Sequence, residues 1–169
     1  MTDSAWTWPT VLAAAMSETS VPPDGVAWAM DRILDDQATS AQIAAFVTAL
    51  RVRGESPEHV RALVDSMMER AVLIDPEQRP SVVVDVVGTG GDGSNSVNIS
   101  TMTALVVAAA GAPVIKHGNR AASSATGSAD ALEALGVRIE LSGAAVAACT
   151  REVGIGFCFA PAFHPAFRF

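Results

Sequence analysis

Three short stretches carry residue types suited to a charged ligand: Gly88-Thr89-Gly90-Gly91-Asp92-Gly93, Asn98-Ile99-Ser100-Thr101 and Lys116-His117-Gly118-Asn119-Arg120. The first follows Ser81 to Val87, a β-branched run that predicts a buried parallel strand. Glycines after a strand let the backbone take φ > 0 and let a ligand come close. The N–H groups of such a loop form a concavity for anions, phosphate above all. The second stretch leads into an apolar helix from Met102 to Ala110, where hydroxyls add donors at the positive end of the helix dipole. Lys116 closes a second predicted strand, Ala112 to Ile115. The expected ligand bears phosphate, held between the glycine loop and the helix start with Lys116 as its cation.

Gly88, Gly90 and Gly93 also fit G-x-G-x-x-G, but that fingerprint needs a helix opening at the glycines and an acid at the end of the next strand. Here the chain stays in loop through Val97, and the next strand ends in Lys116-His117. No Gly-Lys-Ser/Thr follows, so it is not a Walker loop, and the bland alternative is a tight turn. Lys116 is a phosphate ligand or an exposed flank; the adjoining glycine loop favours the ligand. Arg120 suits a bidentate contact to phosphate or carboxylate, or else pairs with Asp130. His117 and His164 form an acid/base pair or serve as structural donors. Asp92, the one acid of the glycine loop, orients amides or meets a metal through water. No Ser-His-Asp arrangement and no His/Cys metal cluster is evident.

The elements that must position these residues fall into two parts. Residues 1 to about 72 read as four short amphipathic helices, a small bundle for packing or association. The first carries Val11, Leu12 and Met16 on one face, the second Val26, Met30, Ile33 and Leu34. The third has Thr39 and Gln42 as a capping box, then Ile43, Phe46, Val47 and Leu50. The fourth starts at Ser56-Pro57-Glu58 with a core stripe of Val60, Leu63, Val64, Met67 and Met68, and His59 exposed. A linker with two prolines, Asp75 to Pro80, separates residues 1–72 from an α/β domain over 73–169. There strands alternate with helices, which implies a parallel sheet. A helix capped by Thr126 or Ser128 runs through Leu135, Val137 to Leu141 is a short strand, another helix starts at Ser142, and Gly156 to Ala160 is the third main strand. Ligands bind beyond C-terminal strand ends in such sheets, and the loops 88–101, 117–128 and 161–166 all fall on that edge.

Bulk properties narrow the partners. The chain has 169 residues, half of them hydrophobic, and a net charge of −7. That charge argues against nucleic acid as a partner, so an anion site must be a local island of positive potential. No apolar run reaches membrane-spanning length, and no secretory signal is read at the start. Cys149 and Cys158 form no C-x-x-C and read as buried thiols of a reducing cytoplasm.

Taken together, GTGGD at 88–92, NIST at 98–101, KHGNR at 116–120, GSAD at 127–130, LEALG at 132–136 and FAPAFHPA at 159–166 resemble anthranilate phosphoribosyltransferase, as does the helical start with AWAM at 27–30 and GESP at 54–57. The resemblance covers nearly the whole chain. The pyrimidine nucleoside phosphorylases share the architecture and spell these loops differently. The resemblance implies transfer of 5-phosphoribose from phosphoribosyl pyrophosphate (PRPP) to anthranilate, with Mg²⁺, in tryptophan biosynthesis; the apolar faces of the N-terminal helices add the expectation of a homodimer joined through them, and the thiols that of a cytoplasmic setting. The resemblance implies that PRPP meets Gly88, Thr89, Gly90, Gly91, Asp92, Asn98, Ser100, Thr101, Lys116 and Ser128. Anthranilate would meet Gly88, Asn119, His117 and His164, and Ser100 would also touch the metal.

The sequence departs from the family in stopping at Phe169, where the family runs on for about as long again. An arginine for the anthranilate carboxylate and an Asp-Glu pair for Mg²⁺ are expected beyond that point. The expectation is therefore an incomplete α/β sheet and an isolated chain with little or no transferase activity. Two other functions stay open: a non-catalytic relative that binds PRPP or assembles with a partner, and glycosyl transfer of the pyrimidine nucleoside phosphorylase kind.

Overall fold

The computed structural model describes residues 6–17, 20–88, 97–121 and 126–168. The chain divides into two compact units, Met1–Ala71 with Ala166–Phe169, and Val72–Pro165.

The first unit is helical: α1 (Trp8–Met16), α2 (Pro23–Leu34), α3 (Ser40–Arg53) and α4 (Pro57–Glu69). Local chemistry sets where each begins. Thr7 and Thr10 cap α1 reciprocally, and Thr39 and Gln42 form the expected box at α3, with the Thr39 N–H donating to Gln42 Oε1 at 2.8 Å. Pro23 and Pro57 occupy first-turn positions, where a missing N–H costs nothing. The core gathers Val11, Ala15, Val21, Val26, Ala29, Phe46 and Leu50. Trp8 meets Trp28 edge-on at 5.5 Å and Phe46 at 6.3 Å.

Several expectations for this unit are overturned, among them Val47 of the α3 face, which is exposed. Met16 is exposed, and Ala15 takes the buried position on α1. On α4 the inward positions are His59, Ala62, Leu63 and Ser66, while Val60, Val64 and Met68 face solvent. The cause is the cap. Ser56 N–H donates to His59 Nδ1 and His59 N–H donates to Ser56 Oγ, both at 3.3 Å, which turns the ring inward. With Nδ1 accepting, the ring proton is on Nε2, which donates to the Val21 carbonyl at 2.7 Å. His59 is thus 4% exposed and fully bonded, and it fixes the helical phase that sends the Val/Met stripe outward.

The second unit contains α5 (Ile99–Ala109), β1 (Val114–Gly118), α6 (Ser128–Ala134), α7 (Gly143–Val153), β2 (Ile155–Phe159) and α8 (Ala160–Phe163); a 3₁₀ turn, Pro165–Arg168, ends the described chain. β1 and β2 pair in parallel, with Val114 opposite Ile155 and Gly118 opposite Phe159. This is the parallel α/β class that the alternating pattern implies. The α7–β2 connection is tight: a Cβ on Gly156 would lie 2.6 Å from Thr150 Oγ1 and 2.7 Å from the Val146 carbonyl. Only glycine lets α7 lie this close to the strand. Ala129, Leu132, Ile139, Phe157 and Phe159 form one buried cluster, and Val146, Cys158 and Phe163 another.

Residues 81–87 do not form a regular strand. They meet the sheet at one parallel bridge, Val84 to Val114, with Val84 N–H donating to Pro113 O and Ile115 N–H to Val84 O. Val82 and Val87 are exposed, so β-branched composition marked a segment that borders the sheet without being covered on both faces. Residues 137–141 are irregular. The N-cap of α6 is Gly127, not Thr126 or Ser128, and Asp130 reaches back to accept the Gly127 N–H at 2.8 Å.

Candidate functional site

Segment 84–88, the end of β1 and the start of α5 meet at one edge of the second unit. Lys116 holds them together. It is 3% exposed, and its Nζ donates to the Val86 carbonyl at 2.9 Å, to Ser100 Oγ at 3.3 Å and to the His117 carbonyl at 3.4 Å. Burial pushes its pKa down, and the nearby Asp85 carboxylate acts in the opposite sense. Every acceptor it touches is neutral. The ammonium is a buried positive centre in an acidic protein, with the Asp85 carboxylate nearby, placed between the start of the glycine segment and the first turn of a helix.

Gly88 approaches the same hydroxyl: a Cβ there would lie 3.8 Å from Ser100 Oγ. Thr89, Gly90, Gly91 and Asp92 lie outside the described residues. Asn98 is the N-cap of α5 with no side-chain cap bond, so its amide is not spent on the helix end. Thr101 is buried, and its hydroxyl has no partner among the described residues.

The β1 end leads to a loop closed on itself. Asn119 Oδ1 accepts the Arg120 N–H at 2.8 Å, which leaves the Asn119 NH₂ group as the donor to offer. Ser128 Oγ lies 3.5 Å from the Asn119 carbonyl, and a Cβ on Gly118 would fall 2.1 Å from that hydroxyl. Gly118 is thus required for Ser128 to sit against the loop. Asp130 accepts the N–H groups of both Ala121 and Gly127, and these bonds hold its carboxyl below the usual range. Arg120 pairs with Glu133 and with Asp130, and lies 5.5 Å over the Phe159 ring. Its pairing role is the one realised here. His164 follows β2 as the C-cap of α8; β2 itself ends at Phe159, opposite Gly118 in the sheet.

One acid was not singled out by sequence. Asp85 stands just before the glycine loop and contacts His117 twice, Oδ2 to Nδ1 at 2.5 Å and Oδ1 to the backbone N at 3.3 Å. The signal available was a carboxylate interrupting a β-branched run directly before the glycines. Cys158 on β2 is buried, and burial raises its pKa to about 11, so it is no nucleophile at neutral pH.

The donor set fits an anion better than a bare metal ion. Mg²⁺ seeks several oxygen ligands. Ser100 Oγ is one hydroxyl beside an ammonium, and among the described residues no group of three His, Cys, Asp or Glu side chains converges. The described residues therefore do not by themselves form a Mg²⁺ site. A cavity of about 390 Å³ beside Lys116 is walled mainly by apolar side chains, among them Leu105, Leu132, Leu141, Val153 and Phe157, with Thr101 and Arg138 also in its lining.

Residues 80–169 match the family described as "Glycosyl transferase family, a/b domain", and residues 9–71 match "Glycosyl transferase family, helical bundle domain". The chain belongs to this glycosyl transferase family. Within it, the similarity is to anthranilate phosphoribosyltransferases. The enzyme of Rhodococcus opacus is 60% identical over 167 residues, covering 98% of this chain and 45% of the relative. That of Saccharopolyspora erythraea is 52% identical over 164 residues, covering 97% and 46%. The crystal structure of the Thermus thermophilus enzyme superposes with a TM-score of 0.81 at 41% identity, over 94% of this chain and 47% of that one. The Saccharomyces cerevisiae enzyme in complex with PRPP and Mg gives 0.82 at 26% identity, over 96% and 49%. The resemblance read from the motifs and the expected fold class are both borne out. The chain spans about half the length of the relatives it matches. Among the described residues no helix is long and apolar enough to cross a membrane.

Proposed function

We propose that this chain binds PRPP at the strand-end edge and serves transfer of its 5-phosphoribosyl group to anthranilate, a step of tryptophan biosynthesis. The observation that carries this reading is the junction at Lys116, where one buried ammonium joins the Val86 carbonyl, Ser100 of the α5 first turn and the end of β1. Gly88 to Asp92, Asn98, Ser100, Thr101, Lys116 and Ser128 would hold the phosphoribosyl and diphosphate groups. Ser100 is the described residue offered to Mg²⁺, which would arrive with the diphosphate. Asn119, through its NH₂ group, and Gly88, His117 and His164 would face anthranilate. The arylamine is already a nucleophile, so the chemistry asks for alignment of the amine with the ribose carbon and for stabilisation of the leaving pyrophosphate. Backbone amides and Lys116 supply the second. Titration with pyrophosphate and PRPP, each with Mg²⁺, should shift amide resonances of residues 97–101 and 116–119. Saturable binding whose shifts avoid both segments would remove the site from this edge.

The homodimer is proposed on the helical unit. Val60, Val64 and Met68 form an exposed stripe on α4, and Met16 and Val52 border an open apolar cleft between α1 and α3. Apolar surface of this kind marks an interaction site, and a second copy of the chain is the partner proposed. Light scattering should give a dimer mass for the chain and a monomer mass for Val64→Lys/Met68→Lys. A dimer that survives this double substitution would move the interface off α4. A cytoplasmic setting accords with the two free thiols, and neither nucleic acid nor membrane is a proposed partner.

A further inference from the structure

We infer that Asp85 is a positioning residue that fixes the tautomer of His117, and through it the acceptor offered to the incoming amine. Asp85 and His117 lie 32 positions apart and meet because the Val84–Val114 bridge aligns segment 84–88 with β1. The carboxylate grips one residue at two points, the ring Nδ1 at 2.5 Å and the backbone N–H at 3.3 Å. A carboxylate only accepts, so Nδ1 must carry the ring proton. The second contact fixes the backbone from which the ring projects. In a neutral ring with Nδ1 protonated, Nε2 is a bare acceptor. An isolated histidine side chain in water prefers the opposite tautomer, with the proton on Nε2. Asp85 therefore inverts an intrinsic preference and makes His117 a hydrogen-bond acceptor at the strand-end edge, where an N–H donor such as an arylamine is to be received.

Stability does not explain the pair. Both side chains are over 40% exposed, and ion pairs at such exposure contribute little. A carboxylate that orients a histidine acts instead through which nitrogen carries the proton. The best-known case is a serine-protease triad, where replacing the aspartate by asparagine leaves the geometry and fixes the wrong tautomer. The substitution Asp85→Asn would likewise set an NH₂ group against Nδ1 and force the proton to Nε2.

The identification of the amine as anthranilate rests on the proposed function; the tautomer does not. Long-range ¹H–¹⁵N correlation on the ¹⁵N-histidine-labelled, ligand-free chain, at a pH where the rings are neutral, reads each ring nitrogen directly. His117 should show Nδ1–H with bare Nε2, and Asp85→Asn should shift it to Nε2–H. His59, held as Nε2–H by the Ser56 amide and the Val21 carbonyl, should be unchanged and reports that the variant is folded. Asp85→Ala, which offers neither donor nor acceptor, should relax His117 to the mixture of a free side chain. A parent His117 already in the Nε2–H form, or one unaltered in both variants, overturns the inference. Anthranilate binding is then measured separately. If the tautomer switches and anthranilate affinity of the PRPP-loaded chain stays within twofold, Asp85 still sets the ring, but the amine is received elsewhere and the assignment of His117 to anthranilate falls.

Discussion

Replacing Lys116 with alanine is expected to weaken binding of Mg²⁺-pyrophosphate by about tenfold to a hundredfold. A hydrogen bond from a charged group contributes about 1.5–3 kcal/mol, which spans that range. Two losses coincide here. The ammonium is the buried cation of the edge, and it is also the strut that holds Ser100 against the Val86 carbonyl. Lys116→Met separates them from mere packing, because it keeps an apolar stem and removes only the charged donor; it should bind nearly as weakly as the alanine variant. Calorimetric titration of the three proteins checks this. Equal affinity in parent and methionine variant would mean that the amides alone hold the anion.

The same residue sets a pH dependence whose sign follows from burial. The folded-state pKa of Lys116 lies below its ordinary value because burial disfavours the charged form. Protonated Lys116 therefore costs folding stability at neutral pH, and that cost is relieved as pH rises through the folded pKa. Anion binding runs the other way, since it needs the ammonium. Pyrophosphate affinity should thus fall on the alkaline side, starting below the range where an ordinary lysine titrates, and thermal unfolding of the free chain should show no matching loss there.

Which parts of this molecule were legible in the sequence follows from how local each determinant is. The capping boxes at Thr7 and Thr39 and the proline at the start of α4 are settled within four residues, and the α3 box and the α4 proline stand where the pattern puts them. The convergence of segment 84–88, β1 and the α5 start was legible because parallel connections carry successive strand ends to one edge. Lys116 shows the limit of that reasoning. Its place in the sequence suggested a cation closing a strand over 112–115, whereas it is the middle residue of β1, and nothing local showed that the Val86 and His117 carbonyls and the Ser100 hydroxyl already surround it. His59 failed for a related reason: an exposed first-turn histidine is the ordinary expectation, and its burial depends on the Val21 carbonyl, 38 residues away. With that ring turned inward, Leu63 keeps its core position while Val60, Val64 and Met68 of the same expected stripe end in solvent. Residues 81–87 illustrate the converse, since β-branched composition favours extended backbone and says nothing of whether both faces find cover.

Truncating Phe46 to alanine is expected to cost about 3–5 kcal/mol, the usual loss for a buried aromatic, and to be the most damaging single substitution in the helical unit. Phe46 is 1% exposed and belongs to a core cluster of seven buried residues among those described. Its ring is also one side of an edge-on contact with Trp8, at 6.3 Å and 77°, and Trp8 in turn meets Trp28. Such contacts add about 0.5–1.5 kcal/mol beyond area burial. The cavity would open between α1 and α3, where Phe46 packs with Val11, Ala15 and Leu50. Whole-domain stabilities of about 5–15 kcal/mol leave little margin for a loss of this size. Urea unfolding followed by tryptophan fluorescence reports on the site itself, since Trp8 and Trp28 line the gap and emit at longer wavelength once water reaches them. The midpoint should fall sharply for Phe46→Ala and much less for Phe46→Leu, which refills most of the volume but not the edge-on contact. A stability loss below about 1 kcal/mol for the alanine variant, within the range of ordinary surface changes, would mean that the bundle repacks freely and that the aromatic cluster does not fix its core.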